Sequence, residues 1–255
     1  MKIELDITKS VEENASDYFE LAKIAKKKAG NAKLALEQTI KKLSHLEMQK
    51  KEEKKNIIKR KKEWYEKFRW FVTSEGFLVV GGRDATTNEI IIKKHTQKDD
   101  IVFHTEMAGS PFVVIQTHGK KPGEPTLKET AQFTACYSKA WKAGRTIADV
   151  FYVNPDQVTK EVPAGEYITK GAFMIYGKKN FIPVNLKLFI GKMDDGRIMA
   201  GPENAVKTHC KVFCEITLGN EKTSSIAKHI KAKVDGDDLE DIVRVIPVGS
   251  KYGSK

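Results

Sequence analysis

The sequence is poor in cysteine and has no long apolar run. Its three cysteines, Cys136, Cys210 and Cys214, lack the evenly paired spacings of a disulfide framework, so they are interpreted as reduced cytosolic thiols. No apolar run approaches the roughly 18 residues of a membrane span, and the N-terminal residues lack the apolar core of a signal peptide. The sequence therefore predicts a cytoplasmic protein with no membrane association.

Metal-binding and catalytic signatures are missing as well. The pair His209–Cys210 followed by Cys214 looks like a metal clip, but residues four apart in a strand also share one buried face. No second ligand pair occurs elsewhere, so neither a metal nor a cofactor is predicted. No nucleophile elbow, phosphate-binding glycine loop or His-Glu-x-x-His sequence is present. The prediction is a binding protein and not an enzyme.

One alternative is a nuclease-like cluster built from Arg83, Asp84, His104 and Glu106. Closeness in sequence does not establish such a cluster, because polar residues near turns mostly serve caps and turns. Arg83 and Asp84 fit an internal ion pair equally well.

Positive charge is abundant and concentrated in one segment. The chain has 45 Lys/Arg and 34 Asp/Glu, a net charge of +11. Residues 23–62 hold 15 Lys/Arg and four Glu, so this arm accounts for the whole excess. A neutral body with one cationic arm is suited to a polyanion, which predicts RNA as a partner. The candidate RNA-binding residues of the arm are Lys26, Lys27, Lys28, Lys54, Lys55, Arg60, Lys61 and Lys62.

The arm also has a heptad pattern. Ser10–Glu13 is a capping-box sequence, which predicts a helix start near Ser10. Apolar and small residues then follow at alternating steps of four and three over Val11–Leu46, with Gly30 inside the repeat. The many alanines predict close approach of a partner helix. Because residues 47–63 offer few apolar anchors, two alternatives stay open: a helical hairpin, or a coiled coil completed by a homodimer or a separate chain.

The rest of the chain predicts an α+β domain with a largely antiparallel sheet, because strands mostly arrive in neighbouring pairs. The predicted division is a basic coiled-coil arm over 1–62 and a domain over 63–255, with core motifs in 63–192 and a C-terminal extension in 193–255. Predicted strands are Trp70–Thr73, Phe77–Gly81, Ile101–Thr105, Phe112–Thr117, Ile147–Val153, Tyr167–Tyr176, Leu186–Lys192 and Lys211–Thr217. Predicted helices run from the Asp84 cap through Lys94, and over Thr126–Ala143, Glu203–His209 and Ser224–Val234.

Basic and aromatic residues occur together near predicted strand ends, in Trp64–Trp70 and in Tyr176–Asn180. Cations that contact phosphates and rings that stack on unpaired bases are the chemistry of RNA recognition. The rings of Phe68, Trp70 and Phe71 are better interpreted as core. For the lysines of Tyr176–Asn180, a solvated turn is an equal alternative.

Three strings closely resemble a known domain: Trp64–Phe71 (WYEKFRWF), Gly81–Ala85 (GGRDA) with Asn88-Glu89, and GEY at 165–167 followed by Gly171–Asn180 (GAFMIYGKKN). Together with His104, Cys136–Ser138 and Trp141, they resemble the NFACT-R domain of the NFACT/NEMF proteins of ribosome-associated quality control. The stretch from Ser10 to Tyr18 is similar to the start of that family's middle coiled coil, and the C-terminal tail is similar to archaeal members. The resemblance covers nearly the whole chain.

This resemblance implies binding to a large ribosomal subunit that is obstructed by peptidyl-tRNA. Full-length members also recruit tRNA to extend the stalled chain, but the 255 residues hold no counterpart of the family's large N-terminal domain. The expectation is therefore an RNA-binding adaptor that acts on tRNA, ribosomal RNA or the large subunit. The alternative is a protein–protein adaptor that works through the Ala-rich coiled coil without RNA specificity. The candidate RNA-binding residues of the domain are Lys67, Arg69, Arg83, Asp84, Asn88, His104, Lys178, Lys179 and Asn180.

Overall fold

The computed structural model describes residues 3–56, 62–107, 109–161, 167–236 and 239–253, of which 44–56 are described by their backbone alone. The chain divides into two compact units, Met1–Lys61 and Lys62–Lys255. None of the helices in the described ranges is long and apolar enough to cross a membrane.

The first unit is dominated by one long helix, α1 (Val11–Asn56). The predicted capping box is confirmed: the Glu13 amide donates to Ser10 Oγ (3.1 Å) and the Ser10 amide donates to Glu13 Oε2 (2.8 Å). The helix is continuous through Gly30, as predicted, and its 46 residues span roughly 69 Å. Residues 47–56 continue α1 and do not fold back on it, so no hairpin forms within its bounds.

The residues ahead of α1 fold onto its first two turns. The buried Asn14 side chain accepts the Asp6 amide (2.8 Å) and donates to the Asp6 carbonyl (3.0 Å). The Tyr18 hydroxyl donates to the Glu4 carbonyl (2.6 Å). These bonds fix the start of α1, and they give Asn14 and Tyr18 a structural role.

The second unit is an α+β domain, and its elements bring together residues far apart in the sequence. The helices are α2 (Ala85–Lys94), α3 (Glu124–Cys136), α4 (Lys139–Lys142), α5 (Glu203–His209), α6 (Thr223–Val234) and α7 (Leu239–Val245). The strands are β1 (Arg69–Val72), β2 (Leu78–Gly81), β3 (Ile101–Thr105), β4 (Val113–Gln116), β5 (Ile147–Val153), β6 (Val158–Thr159), β7 (Met174–Ile175), β8 (Asn180–Asn185), β9 (Leu188–Met193), β10 (Ile198–Gly201), β11 (Cys210–Leu218) and β12 (Ser250–Tyr252). Single turns of 3-10 helix lie at Trp64–Lys67 and Pro155–Gln157.

The strands form antiparallel sheets, as predicted. A central six-stranded sheet has the order β1-β2-β4-β3-β5-β8, and a second sheet has the order β10-β9-β11-β12. The short strands β6 and β7 pair with each other. Every pairing in the central and second sheets is antiparallel, which confirms the α+β class with an antiparallel sheet.

The central sheet is covered on both faces, so every residue of β4 is buried. Val113 and Ile115 face a large apolar cluster shared with α3 and the second sheet, whereas Val114 faces a smaller cluster beneath α2. Phe68, Trp70 and Phe71 are buried in these clusters, which confirms their interpretation as core.

The predicted helix Thr126–Ala143 is wrong in its middle. Helix α3 ends at Cys136, and α4 starts after Ser138, whose hydroxyl accepts the Ala140 amide (3.1 Å) as a new N-cap. Serine competes with helix continuation in this way because its side chain can cap the following turn. The apolar pattern runs across the break because α3 and α4 are both buried on the same cluster.

The predicted strand Tyr167–Tyr176 is reduced to Met174–Ile175, paired with Val158–Thr159. The sheet edge is formed instead by β8, which pairs with β5 and contains Pro183. A proline lowers the predicted strand propensity, because it has no amide proton to donate to a neighbouring strand. An edge strand tolerates it, since one side of an edge strand has no neighbouring strand. Like β8, the short elements β6, β10, α7 and β12 have no predicted counterpart.

Candidate nucleic-acid interface

An open cleft of about 730 Å³ lies where the end of β2, the start of α2, the end of β3 and the segment 169–175 meet. The sheet order explains its position, because it brings the neighbourhoods of β2 and β3 to either side of β4. Six of the residues predicted from the sequence line this cleft: Arg69, Arg83, Asp84, Asn88, His104 and Lys179.

The first wall of the cleft depends on the glycine pair at the end of β2. A Cβ on Gly82 would lie 1.8 Å from Asn88 Oδ1, so glycine is needed for this close approach. Asn88 Oδ1 accepts the Phe112 amide (3.1 Å) and thereby ties α2 to the loop before β4. The Arg69 guanidinium donates to the Gly82 carbonyl (2.8 Å) and lies 4.6 Å from the ring centroid of Tyr137. A guanidinium is thus fixed in the wall.

Asp84 caps α2, as predicted. Its Oδ1 accepts the Thr87 amide (2.8 Å), while Thr87 Oγ1 accepts the amides of Arg83 (2.8 Å) and Asp84 (2.9 Å). The hydrogen bond from the Thr87 amide holds the pKa of Asp84 below its ordinary value. The Arg83–Asp84 ion pair left open by the sequence does not form; the Arg83 guanidinium is instead 3.5 Å from the Arg244 carbonyl.

This cap predicts a pH-dependent effect on stability. Replacing Asp84 by alanine is expected to cost about 0.5–2 kcal/mol of unfolding free energy, because the N-cap acceptor is lost. The folded pKa of Asp84 is depressed, so its contribution is present above the unfolded pKa of about 3.9 and is lost as the pH falls below that value. Urea unfolding midpoints of wild type and Asp84→Ala should therefore converge in acid. A difference that is the same at neutral and acidic pH would contradict this role.

His104 forms part of the aromatic wall. Its ring is stacked on Phe112, with centroids 4.3 Å apart, and lies 6.1 Å from Phe151. Burial lowers the pKa of His104 below its ordinary value, so the ring is neutral at physiological pH. His104 therefore offers the cleft an aromatic surface and no positive charge.

Lys179 lies between the cleft and a neighbouring pocket. Its Nζ is 2.9 Å from Glu106 Oε1 and 4.7 Å from the ring centroid of Phe151. Lys178 and Asn180 do not line the cleft; with Lys179 they line a second pocket of about 470 Å³, bordered also by Lys128. The backbone bends at Gly177 (φ +81°), just before these three residues. After the bend, Lys178 and Asn180 line only the second pocket, whereas Lys179 lines both.

The segment 169–175 closes the third side of the cleft. Gly171 has φ +78°, and a Cβ there would lie 2.3 Å from Ala85 Cα, so the segment packs directly on the start of α2. The Gly171 amide donates to Glu89 Oε2 (3.3 Å). Lys160 Nζ donates to the Thr169 carbonyl (3.3 Å) and lies 4.7 Å from the ring centroid of Phe173.

Several lining residues are absent from the sequence-based prediction: Lys170, Phe112, Tyr137, Phe151 and Phe173. Tyr137 and Phe173 belong to the strings that carry the family resemblance, so a signal for them was present. Lys170 has no signal in the sequence, because nothing local distinguishes it from other surface lysines.

The remaining predicted residues lie elsewhere. Lys67 is exposed outside the cleft. Lys26, Lys27 and Lys28 are exposed on α1, and no residue in the described ranges pairs with them. Lys62 forms an ion pair with Asp241 (2.8 Å). The side chains of Lys54 and Lys55, and all of Arg60 and Lys61, lie outside the described residues.

The cysteines are buried free thiols. Burial raises the pKa of Cys210 to about 12 and that of Cys214 to about 11, so both are protonated and poor metal ligands. Within the described ranges, no three His, Cys, Asp or Glu side chains are grouped to hold a metal ion.

Comparison with known proteins identifies the part of the chain that builds the cleft. Residues 67–177 match the family described as NFACT protein RNA binding domain. This segment is an NFACT-R domain. This match confirms the resemblance predicted from the three strings. The cleft residues from Arg69 to Ile175 lie within the matched range, and Lys179 lies two residues beyond it.

Relatives extend the similarity on both sides of the NFACT-R domain. The archaeal Rqc2 homolog aRqcH of Methanocaldococcus jannaschii is 41% identical over 201 residues, which is 76% of this chain and 30% of the relative. The human ribosome quality control complex subunit NEMF is 38% identical over 191 residues, 71% of this chain and 18% of the relative. Ribosome quality control complex subunit 2 of Schizosaccharomyces pombe is 32% identical over 196 residues, 71% of this chain and 18% of the relative. The chain spans less than a third of the length of these relatives.

The charge balance of the NFACT-R cleft favours an anionic ligand. Among the described residues, four cationic side chains line it: Arg69, Arg83, Lys170 and Lys179. Of the two carboxylates among those described lining residues, Asp84 is engaged by the helix cap and Glu106 is paired with Lys179. Cations beside aromatic rings, in a cleft open to solvent, suit phosphate groups attached to flat bases.

Proposed function

We propose that this chain binds RNA, with the NFACT-R cleft and the lysines of α1 as its contact surfaces. The single observation that carries the proposal is the cleft, which combines four cationic side chains with the rings of His104, Phe112 and Phe173. The surplus charge of residues 23–62 adds long-range attraction for phosphates.

The place of action that we propose is the large ribosomal subunit in the cytoplasm, during quality control of stalled nascent chains. Support comes from the human and Schizosaccharomyces pombe relatives, whose names assign them to ribosome quality control. On such a subunit, tRNA and ribosomal RNA are the polyanions that the cleft and the arm would meet. The chain would act as an adaptor that recognises RNA.

RNA binding is tested by the salt dependence of affinity. Fluorescence anisotropy with labelled tRNA and with a ribosomal RNA fragment, between about 50 and 200 mM salt, should give a steep negative log–log slope. Each phosphate contact contributes roughly 0.7–0.9 to that slope. Affinity that is absent, or that does not change with salt, would refute RNA binding.

The ribosomal part of the proposal has a separate test. The protein should co-sediment with isolated large subunits, and more of it should do so when the subunit holds a trapped peptidyl-tRNA. Equal recovery with large and small subunits would show general attraction to RNA and would contradict action on the large subunit.

We propose further that the RNA is bound and not cleaved. Of the nuclease-like residues suggested by sequence, Asp84 caps α2 and His104 is stacked on Phe112, so both have structural roles. Prolonged incubation with magnesium or manganese should leave the bound RNA intact. Metal-dependent cleavage that is lost in Asp84→Asn would contradict a purely binding role.

A second candidate function is a protein–protein adaptor that works through α1. The observation in its favour is the exposure of the heptad seam: Val11, Leu36 and Leu43 are 79%, 60% and 55% exposed. A long helix draws most of its stability from packing, so such a seam favours a partner helix. Sedimentation velocity, which measures the oligomeric state, tests this hypothesis when wild type is compared with the double variant Ala25→Glu/Ala32→Glu. A self-association that the glutamates abolish, and that RNA does not affect, would favour it over RNA binding.

A further inference from the structure

An aromatic pair at the surface of the domain lies outside the cleft. The rings of Trp64 and His95 are stacked almost parallel, with centroids 4.2 Å apart and 12° between their planes. Trp64 is 39% exposed, whereas the other two tryptophans, Trp70 and Trp141, are 5% and 1% exposed. Trp64 is therefore the tryptophan that offers indole surface to a ligand.

The pair is held in place by its surroundings. Trp64 opens the 3-10 turn Trp64–Lys67, whose capping bond runs from the Glu63 amide to Glu66 Oε1 (2.7 Å). The buried ring of Phe68 lies edge-on to both Trp64 and His95, with centroids 6.2 and 5.7 Å away. A surface that is already ordered loses little conformational entropy when a ligand binds.

The backbone of His95 is fixed as well. It ends α2, and its carbonyl accepts a hydrogen bond from the side chain of Gln116 (2.6 Å). The stacked pair therefore joins the 3-10 turn at the start of the domain to the C-terminal end of α2.

Two exposed lysines adjoin the pair. Lys67 and Lys94 are close enough to His95 that their charges add to the effect of burial in lowering its pKa. No residue in the described part of the chain forms an ion pair with either lysine. Glu63 and Glu66 lie in the neighbouring 3-10 turn, where Glu66 Oε1 accepts the Glu63 amide, and neither is among the charges that act on the His95 ring. The charges that act on the stacked pair at His95 are therefore those of the two lysines, beside the exposed ring of Trp64.

We propose that Trp64 is a stacking platform for one unpaired nucleotide of RNA, with Lys67 and Lys94 contacting the phosphates on either side of that nucleotide. This proposal rests on the proposed RNA binding and adds a site separate from the cleft. A single exposed indole bordered by lysines suits a base followed by phosphates better than a protein partner, which would need a continuous apolar patch. A duplex does not fit, because the faces of its bases are covered by their neighbours.

Because Trp70 and Trp141 are buried, a change in tryptophan emission on ligand binding is expected to report on Trp64. Tryptophan emission and the anisotropy of a labelled oligonucleotide are followed in one titration with single-stranded oligo(U). The anisotropy reports binding anywhere on the protein, and the emission reports stacking on Trp64. We expect saturable quenching that follows binding, and no quenching in Trp64→Phe, where the exposed indole is gone.

Affinity measurements separate stacking from a structural role of Trp64. Trp64→Ala should weaken binding of single-stranded RNA by roughly 5- to 150-fold and Trp64→Phe by less, since a phenyl ring retains part of the stack. Both variants should leave duplex binding unchanged. Lys67→Gln and Lys94→Gln should each lower the salt slope, whereas Lys228→Gln, an exposed lysine on α6, should not.

The outcomes separate this site from the general function. Binding by anisotropy without a change in emission overturns the platform and leaves RNA binding intact. Equal quenching by duplex and single-stranded RNA also overturns it, because a duplex has no free base face. No binding of any RNA overturns the platform together with the proposed function.

Discussion

Replacing Gly171 by alanine is expected to displace the segment 169–175 and to destabilise the domain more than the same change at Gly119. Both glycines have positive φ, +78° and +77°, so each substitution carries the same backbone strain of about 1–2 kcal/mol. At Gly171 the new Cβ would also lie 2.3 Å from Ala85 Cα, whereas at Gly119 it would have no atom of the described residues within 4 Å. Overpacking against backbone adds about 1–3 kcal/mol.

Urea unfolding midpoints and RNA affinity together test this expectation. Gly119→Ala should keep wild-type affinity because it lies away from the cleft lining. Gly171→Ala should lose affinity even in conditions where it is fully folded, because the third side of the cleft has moved. Equal losses of stability in the two variants would show that the packing of Gly171 on α2 does not shape the cleft.

Reversing the charge of Lys179 is expected to weaken RNA binding far more than reversing that of Lys178. The two changes are chemically identical and lie one residue apart, but Lys179 lines the cleft and Lys178 does not. Loss of one phosphate contact costs roughly tenfold in affinity near 0.1 M salt, and the new carboxylate would also face Glu106. Lys178→Glu should retain most of the affinity.

The measurement is the anisotropy titration at several salt concentrations, with Arg83→Glu as a second cleft variant. Lys179→Glu and Arg83→Glu should each reduce the log–log slope by roughly 0.7–0.9 or more, because a phosphate contact is lost. If Lys178→Glu and Lys179→Glu were equally impaired, the lysines would act through general attraction and the cleft would have no special part.

The sequence predicts those parts of the fold that depend on local signals. The Ser10–Glu13 capping box and the heptads indicate α1, and Asp84 marks the start of α2. The break between α3 and α4 and the edge strand β8 go against the strongest local signals. At the break, the local cap of Ser138 lies within a continuous apolar pattern that favours one helix. In β8, Pro183 is tolerated because this strand lies at the edge of the sheet, and the sheet order is not contained in local propensity.

Six members of the candidate site are predicted from the sequence, but its geometry is not. The strings with Arg83, Asp84 and Asn88 single out residues, yet only the sheet order shows that these residues and His104 line one cleft. Whether Lys178 or Lys179 faces that cleft depends on the path of the chain after Gly177. The sequence alone therefore could not separate the two lysines.

Photo-crosslinking tests the central claim most directly, namely that the NFACT-R cleft holds RNA. RNA that contains thiouridine is bound to the intact chain and irradiated, and the attachment sites are mapped by mass spectrometry. Crosslinks should fall on peptides that contain Arg83–Asn88 and Lys170–Lys179, and Lys179→Glu should reduce them. Crosslinks confined to α1, with none in the cleft, would contradict the claim.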